Sequence, residues 1–301
     1  MRLAILTSGG DAPGMNAVIV NLINLALKDN HEVFLVEDGY EGLMNNKFIH
    51  VKNNKLYFEY FNQAGSFIYS TRSLRYIKEY EVAIEHLKNN KIDCLIVVGG
   101  NGSYKGVQLI SHKINTIFIP ASIDNDIDFS DYSIGFSSAT NEIVNQARKL
   151  IVTFRTHKNI VFLEVFGRYC SNLAVESSLI VQPALTLTHE NKLSKGEVVE
   201  VLKKYYQENE YALVIIAEFA YSSNEIKEIM IELEEKIHCH ARHCILGYTQ
   251  RGADPTVYEL LMANKFSKEA MDQINEQNFN VAIYYKDNVL KVDKYDKLFT
   301  R

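Results

Sequence analysis

The stretch Leu3-Ala4-Ile5-Leu6-Thr7-Ser8-Gly9-Gly10-Asp11-Ala12-Pro13-Gly14-Met15-Asn16 decides how the chain is read. Four apolar residues without alternation mark a strand buried on both faces, as in a parallel sheet. A glycine-rich turn follows at once, and from Met15 to Leu27 the pattern is helical. The arrangement returns at Leu95–Val98, which runs through Gly99-Gly100-Asn101-Gly102-Ser103 into a second helical stretch. Glycine lets the backbone approach an anion closely, and a helix N-terminus offers unpaired N–H groups and positive dipole to it. Neither loop has the GxGxxG or Walker A spacing, which excludes the dinucleotide and P-loop templates. One such loop alone reads equally as a tight turn; two in one chain point to phosphate.

The rest of the chain extends the pattern. Further strands are expected at Glu32–Val36, Thr116–Ile119, Ile160–Val165, Leu185–Thr188, Ala212–Ile216 and Val281–Tyr284. Helices are expected near Glu79–Lys88, Ser103–Ser111, Ser138–Thr153, Lys195–Tyr205, Asn224–Lys236 and Pro255–Lys265. Alternation of strand and helix makes the class α/β with crossover helices. Only four prolines occur, and no Pro/Ser-rich linker separates domains. The 301 residues suffice for one large or two medium domains. A net charge of −5 argues against nucleic acid as a partner. No apolar run is long enough to span a membrane, and the N-terminal run is too short for a signal peptide. Four cysteines in such a chain suggest a reducing cytoplasm rather than a disulfide framework. The segment His238-Cys239-His240-Ala241-Arg242-His243-Cys244 imitates a zinc cluster, but it lacks a second ligand pair and reads better as core cysteines and exposed histidines.

After the strand at Thr116–Ile119 comes Pro120-Ala121-Ser122-Ile123-Asp124-Asn125-Asp126. In an extended segment, Asp124 and Asp126 at i, i+2 share one side. Two carboxylates can then divide labour, one taking a proton from a hydroxyl and the other holding Mg²⁺. Phosphoryl transfer needs both roles plus cations on the equatorial oxygens. An isolated Asp-Asn-Asp is also a common acidic turn.

Five segments in order, Leu6–Asn16, Val98–Ser103, Pro120–Asp126, Phe166-Gly167-Arg168-Tyr169-Cys170 and Leu246-Gly247-Tyr248-Thr249-Gln250-Arg251-Gly252, resemble the signatures of 6-phosphofructokinases over nearly the whole chain. The resemblance implies two Rossmann-like three-layer α/β domains with largely parallel sheets. Residues 1–137 plus 251–301 would bind ATP, and 138–250 the sugar phosphate. It implies transfer from Mg²⁺-ATP to the 1-hydroxyl of fructose 6-phosphate, giving fructose 1,6-bisphosphate in glycolysis, by a homotetramer with the 6-phosphate pocket shared between subunits. Asp124 would be the base, Ser122 (threonine in the family) would touch the transferring phosphate, and Arg168 and Arg72 would carry its charge. Gly10, Tyr40, Arg72, Ser73, Gly100, Gly102 and Ser103 would line ATP, with Asp126 and Asn101 at the metal. Asn159, Phe166, Gly167, Glu218, Arg242, Tyr248 and Arg251 would join Ser122, Asp124 and Arg168 around the sugar phosphate. Pyrophosphate users resemble a pattern with an acidic residue at the place of Gly102 and lysine at that of Ser122, so the resemblance favours ATP as donor.

The chain departs from the family pattern at Asn101 (aspartate), Tyr248 (histidine), Asn159 (arginine), Ser171, Ala253 and Tyr69 (glycines), and Ser73, which stands where the family often has an apolar or aromatic contact to adenine. At the positions of the family's cationic effector site stand Val20, Asn24, Ile151, Gln207 and Asn209, which implies weak or absent activation by a nucleoside diphosphate. These departures leave two further readings: a non-catalytic paralogue that binds nucleotide or sugar phosphate, and a kinase for another sugar phosphate.

Overall fold

The computed structural model describes residues 1–298. By its contacts the chain forms two units, Met1–Ser138 with the segment from Asp254 onward, and Ala139–Ala253.

In unit 1, strands β1 (Arg2–Ser8), β2 (Glu32–Val36), β3 (Phe48–His50), β4 (Cys94–Gly99), β5 (Asn115–Pro120), β10 (Val281–Lys286) and β11 (Val289–Lys294) form one sheet in the order β11-β10-β5-β4-β1-β2-β3. Pairings from β10 to β2 are parallel; β3 and β11 add antiparallel edges. Alternate residues such as Leu6, Val36, Val97 and Phe118 enter a core with side chains of α2 (Gly39–Met44), α3 (Leu74–Asn89) and α4 (Asn101–Ile110). Leu3, Ile5, Ile96 and Ile117 are also fully buried, so the strands are covered on both faces, as their unbroken apolar runs require. Helix α1 (Met15–Lys28) packs along α9 (Val257–Asn275), where Ser267 donates from its hydroxyl to the Val18 carbonyl at 3.2 Å.

The start of α5 (Phe136–Thr156) is secured by α9 in a way the sequence does not announce. Thr256 and Glu259 have the Thr-x-x-Glu spacing of a capping box, and Thr256 Oγ1 accepts from Glu259 N at 3.1 Å. The Glu259 carboxylate does not turn back to its own helix. It accepts from Gly135 N, Ser138 N, the Ser137 and Ser138 hydroxyls and Tyr132 Oη, at 2.8–3.3 Å. Ser138 Oγ in turn accepts from Thr256 N, so the two helix starts cap each other. A carboxylate at a helix N-terminus is favoured by the dipole, and five donors offset a burial that pushes this carboxyl's pKa upward.

In unit 2, β6 (Ile160–Val165), β7 (Leu185–Leu187), β8 (Ala212–Ala217) and β9 (Ala241–Ile245) form an all-parallel sheet in the order β7-β8-β6-β9. Its helices are the later turns of α5, then α6 (Asn172–Val181), α7 (Lys195–Asn209) and α8 (Ser223–Ile237). Helices α7 and α8 begin with full capping boxes, Ser194/Glu197 and Ser222/Glu225. Helices α2 and α6 and strands β3, β9 and β11 were not among the elements expected from sequence, and α9 runs to Asn275 rather than ending near Lys265.

Candidate active site

In unit 1 the strand order fixes where a ligand goes. From β1 the chain moves outward to β2, then crosses back to β4 on the other side. The β1/β4 boundary is the switch point, and there the loops at the strands' carboxyl ends diverge into a crevice. The two glycine loops follow those two strands. They are in contact: a Cβ on Gly99 would lie 2.4 Å from Ser103 Oγ and 2.5 Å from the Ser8 carbonyl, so only glycine fits. Ser103 Oγ donates to Ser8 O at 2.9 Å, tying one loop to the other. Ser103 is thus buried and occupied with the protein, where the sequence reading had it lining the nucleotide.

Tyr40 is likewise engaged within the protein. It is 4% exposed, stacked on Tyr76 with centroids 4.1 Å apart, and donates to Ser103 O at 2.8 Å. It braces the second loop from behind. Ser73 caps α3, accepting from Tyr76 N and donating to Glu41 Oε2 at 2.6 Å, so its hydroxyl is also engaged. Gly10, Gly100 and Gly102 stay accessible, and a Cβ on Gly102 would meet nothing within 4 Å. Arg72 is exposed and follows Thr71, whose carbonyl accepts from Gly9 N and Ser8 Oγ, so its backbone is held against the first loop. A cavity of about 640 Å³ opens between Gly9-Gly10-Asp11 and the segment 63–71. Asn16 fixes that segment from below: its amide donates to the Gln63 and Ala64 carbonyls and accepts from Phe67 N. Tyr69, at a family glycine position, keeps the left-handed backbone with φ 61°, at a cost of about 1–2 kcal/mol for a residue with a Cβ.

The acidic segment lies beside the second loop: Ala121 N donates to Gly99 O, and Gly100 faces Ser122. It is not extended. Asn125 N reaches back to Ser122 O, and Asn125 adopts φ 49°. The turn ends the two-residue alternation on which a shared side was expected; Asp124 is 7% exposed and Asp126 is exposed. Ser133 holds the turn by donating to Ser122 O at 2.6 Å and Asn125 Oδ1 at 3.0 Å. Ser122 Oγ donates to Asp126 Oδ1 at 2.9 Å. Asn101 Nδ2 donates to Asp126 O and Oδ2 at 2.9 and 3.1 Å, which leaves Asn101 Oδ1 buried with no hydrogen-bond partner. A buried, unmet carbonyl oxygen beside a carboxylate suits a hard cation, and Mg²⁺ needs only one or two protein oxygens when phosphates and water supply the rest.

In unit 2 the loops at the carboxyl ends of β6 and β8 carry the expected residues. Gly167 has φ 145° and Arg168 φ 53°, and Arg168 N donates to Glu218 Oε2 at 2.8 Å. Phe166 N donates to the buried Gln250 Oε1 at 3.1 Å. The Phe166 ring meets Tyr248 edge-on at 5.6 Å and the Arg251 guanidinium at 5.5 Å. These six, Phe166, Gly167, Arg168, Glu218, Tyr248 and Arg251, belong to one end of the unit. Arg242 and Asn159 do not join them. Arg242 pairs with Val161 in register at the amino end of the sheet and lies 3.5 Å from Glu234. Asn159 precedes β6 and accepts from His240 N. From Asn159 to Phe166 a strand covers roughly 23 Å, so one unit cannot bring both groups to one small ligand. Sequence reasoning missed Gln250, Glu259 and His189; the first lay inside a quoted motif, the second carried the Thr-x-x-Glu signal, and the third had none. His243, from the imitation zinc segment, pairs with Glu164 at 2.8 Å.

Glycine loops on two strands of a parallel sheet, with an acidic turn beside them at the switch point, define an α/β protein that holds phosphorylated ligands. Comparison with known proteins narrows this. The phosphofructokinase family matches residues 2–274. An ATP-dependent 6-phosphofructokinase of Staphylococcus carnosus is 35% identical over 99% of this chain and 93% of its own length. One from Mesomycoplasma hyopneumoniae is 36% identical over 98% and 91%. Among solved structures, phosphofructokinase from Saccharomyces cerevisiae superposes with a TM-score of 0.88 at 24% identity, covering 98% of this chain and 45% of that one. The chain belongs to the phosphofructokinase family.

Proposed function

We propose that this chain is an ATP-dependent 6-phosphofructokinase, transferring the terminal phosphoryl group of ATP to the 1-hydroxyl of fructose 6-phosphate. The observation that carries the proposal is the Asp124 turn, set by Ser133 and Ser122 beside the second glycine loop, in a chain about 35% identical over nearly its full length to enzymes of that name. Asp124 accepts the proton of the attacking hydroxyl, whose oxygen bonds to the terminal phosphorus as the bond to the leaving diphosphate breaks. The glycine-loop amides and Arg72 hold the nucleotide phosphates, and Gly102 leaves room for the nucleoside. Asp126 and Asn101 Oδ1 would hold Mg²⁺, which when bound neutralises phosphate charge. In unit 2, Arg168 meets phosphoryl charge and Glu218 accepts from sugar hydroxyls; Arg251 takes the 6-phosphate, for which a guanidinium is well shaped.

Arg242 and Asn159 sit at the wrong end of their sheet for the same ligand, which supports an oligomer in which a second copy supplies them; the homotetramer follows from the resemblance. Among the described residues no helix is long and apolar enough to cross a membrane. The cysteine content, read as that of a reducing compartment, supports a cytoplasmic enzyme.

The test is a coupled assay for fructose 1,6-bisphosphate with fructose 6-phosphate and Mg²⁺-ATP, run on wild type and Asp124→Asn. Turnover that drops at least about 10³-fold in the variant is expected, since the amide cannot take the proton. No turnover by wild type on fructose 6-phosphate would defeat the proposal; turnover on another sugar phosphate in a panel would redirect it.

A further inference from the structure

Three loops meet at the carboxyl ends of β6, β7 and β8, and one side chain joins them. His189 follows β7, half-buried, and its Nε2 lies 2.9 Å from the carbonyl oxygens of both Arg168 and Glu218. Both partners are acceptors, so Nε2 must carry the proton and its N–H is shared between them. Those two carbonyls are not ordinary positions. Arg168 itself is left-handed at φ 53°, and the residue after Glu218, Phe219, is left-handed at φ 62°. Non-glycine residues hold that conformation only when surrounding contacts fix it. Here the contacts form a closed ring: Arg168 N to Glu218 Oε2, Arg168 O to His189, and His189 to Glu218 O. The His189 end of the ring is itself anchored, since His189 N donates to the buried Ser171 Oγ at 3.3 Å and the ring lies beside Tyr169. Ser171, one of the chain's departures from the family's glycines, therefore has a part in the same assembly.

We infer that His189 is a positioning residue: its Nε2–H fixes the Arg168 and Glu218 loops in one relation, so that the guanidinium and the carboxylate are set before the sugar phosphate arrives. The inference rests on the roles proposed for Arg168 and Glu218. It does not require His189 to touch substrate or to change protonation.

Two variants separate the donor from the ring. His189→Phe keeps the ring and removes the N–H. His189→Gln removes the ring and places an amide N–H at nearly the reach of Nε2. In the coupled assay, His189→Phe is expected to lower kcat/KM for fructose 6-phosphate roughly 10- to 100-fold, with KM for ATP within about twofold of wild type, and His189→Gln to regain most of the loss. Hydrogen exchange at the Arg168 amide is measured alongside, with β8 amides as the control for folding. It should quicken in His189→Phe and slow again in His189→Gln. Unchanged kcat/KM and unchanged exchange in His189→Phe overturn the inference, as does a His189→Gln no better than His189→Phe when β8 stays protected. If wild type does not turn over fructose 6-phosphate, the kinase reading fails on that result, and the exchange measurement still decides the role of His189.

Discussion

Replacing Asn101 with aspartate sets a carboxylate against the carboxylate of Asp126. In the present protein the Asn101 amide donates to Asp126 O and Oδ2 at 2.9 and 3.1 Å, and both hydrogen bonds are lost in Asn101→Asp. At a net contribution of about 1 kcal/mol each, that is roughly 2 kcal/mol. Two like charges about 3 Å apart add roughly 1–2 kcal/mol near a solvated surface, where the effective dielectric constant is high. The variant should therefore be about 3 kcal/mol less stable than wild type in EDTA. Mg²⁺ reverses the sign: it removes the repulsion and gains a charged ligand in place of the Asn101 carbonyl. Urea unfolding in EDTA and in saturating Mg²⁺-ATP measures the first effect, as a deficit that shrinks when the metal is present. The coupled assay measures the second, as a rise in turnover of about tenfold or more. Equal stability of the two proteins in EDTA would refute the geometry, and a deficit that Mg²⁺ leaves untouched would remove the metal from this corner of the site.

Other consequences can be measured separately. Glu259→Ala strips a common acceptor from five donors around the start of α5, and should cost about 3–5 kcal/mol, or a fall in Tm of roughly 10 °C; a loss below about 1 kcal/mol would mean the donors re-pair locally. The capping-box carboxyl of Glu225 is lowered to about 2 by the Ser222 backbone N–H and by Lys192. A depressed acid contributes above its unfolded pKa, so the start of α8 should loosen as pH falls from about 4.5 toward 2, seen as reduced protection of its first amides relative to their intrinsic exchange in wild type but not in Glu225→Gln. ADP should fail to activate the enzyme: Val20 is buried within α1, and Asn24 is bonded to Asn54 at 2.9 Å, so unit 1 offers no cation at those positions; strong ADP activation would contradict this.

The sheets were legible because β1, β4, β5, β6 and β8 are buried on both faces, and such strands advertise themselves as unbroken apolar runs. β3 and β11, at the sheet's edges and partly exposed, carry no such run. The glycine loops were legible for a related reason, since Gly99 is demanded by close approach of Ser8 and Ser103. What side chains do within a loop was less so. Two-residue alternation was the ground for pairing Asp124 with Asp126, but Asn125 is left-handed and the segment turns instead of running extended. Tyr40 and Ser103 sit at family ligand positions, yet their polar atoms serve the protein's own carbonyls. Arg242 illustrates a further limit: a resemblance gives its residue type, and only the strand direction shows which end of the sheet it occupies.

The order of the strands also sets a timetable for synthesis. Unit 2 is one continuous piece of chain, whereas the sheet of unit 1 receives β10 and β11 only after all of unit 2 has been made. Until Val281 and Ala282 pair with Ile117 and Phe118, one side of β5 has no neighbour on the ribosome-bound chain. An open strand edge is a template for pairing with other chains. Nascent chains stalled between Ala253 and Val281 should therefore be the form of this protein that most needs a chaperone.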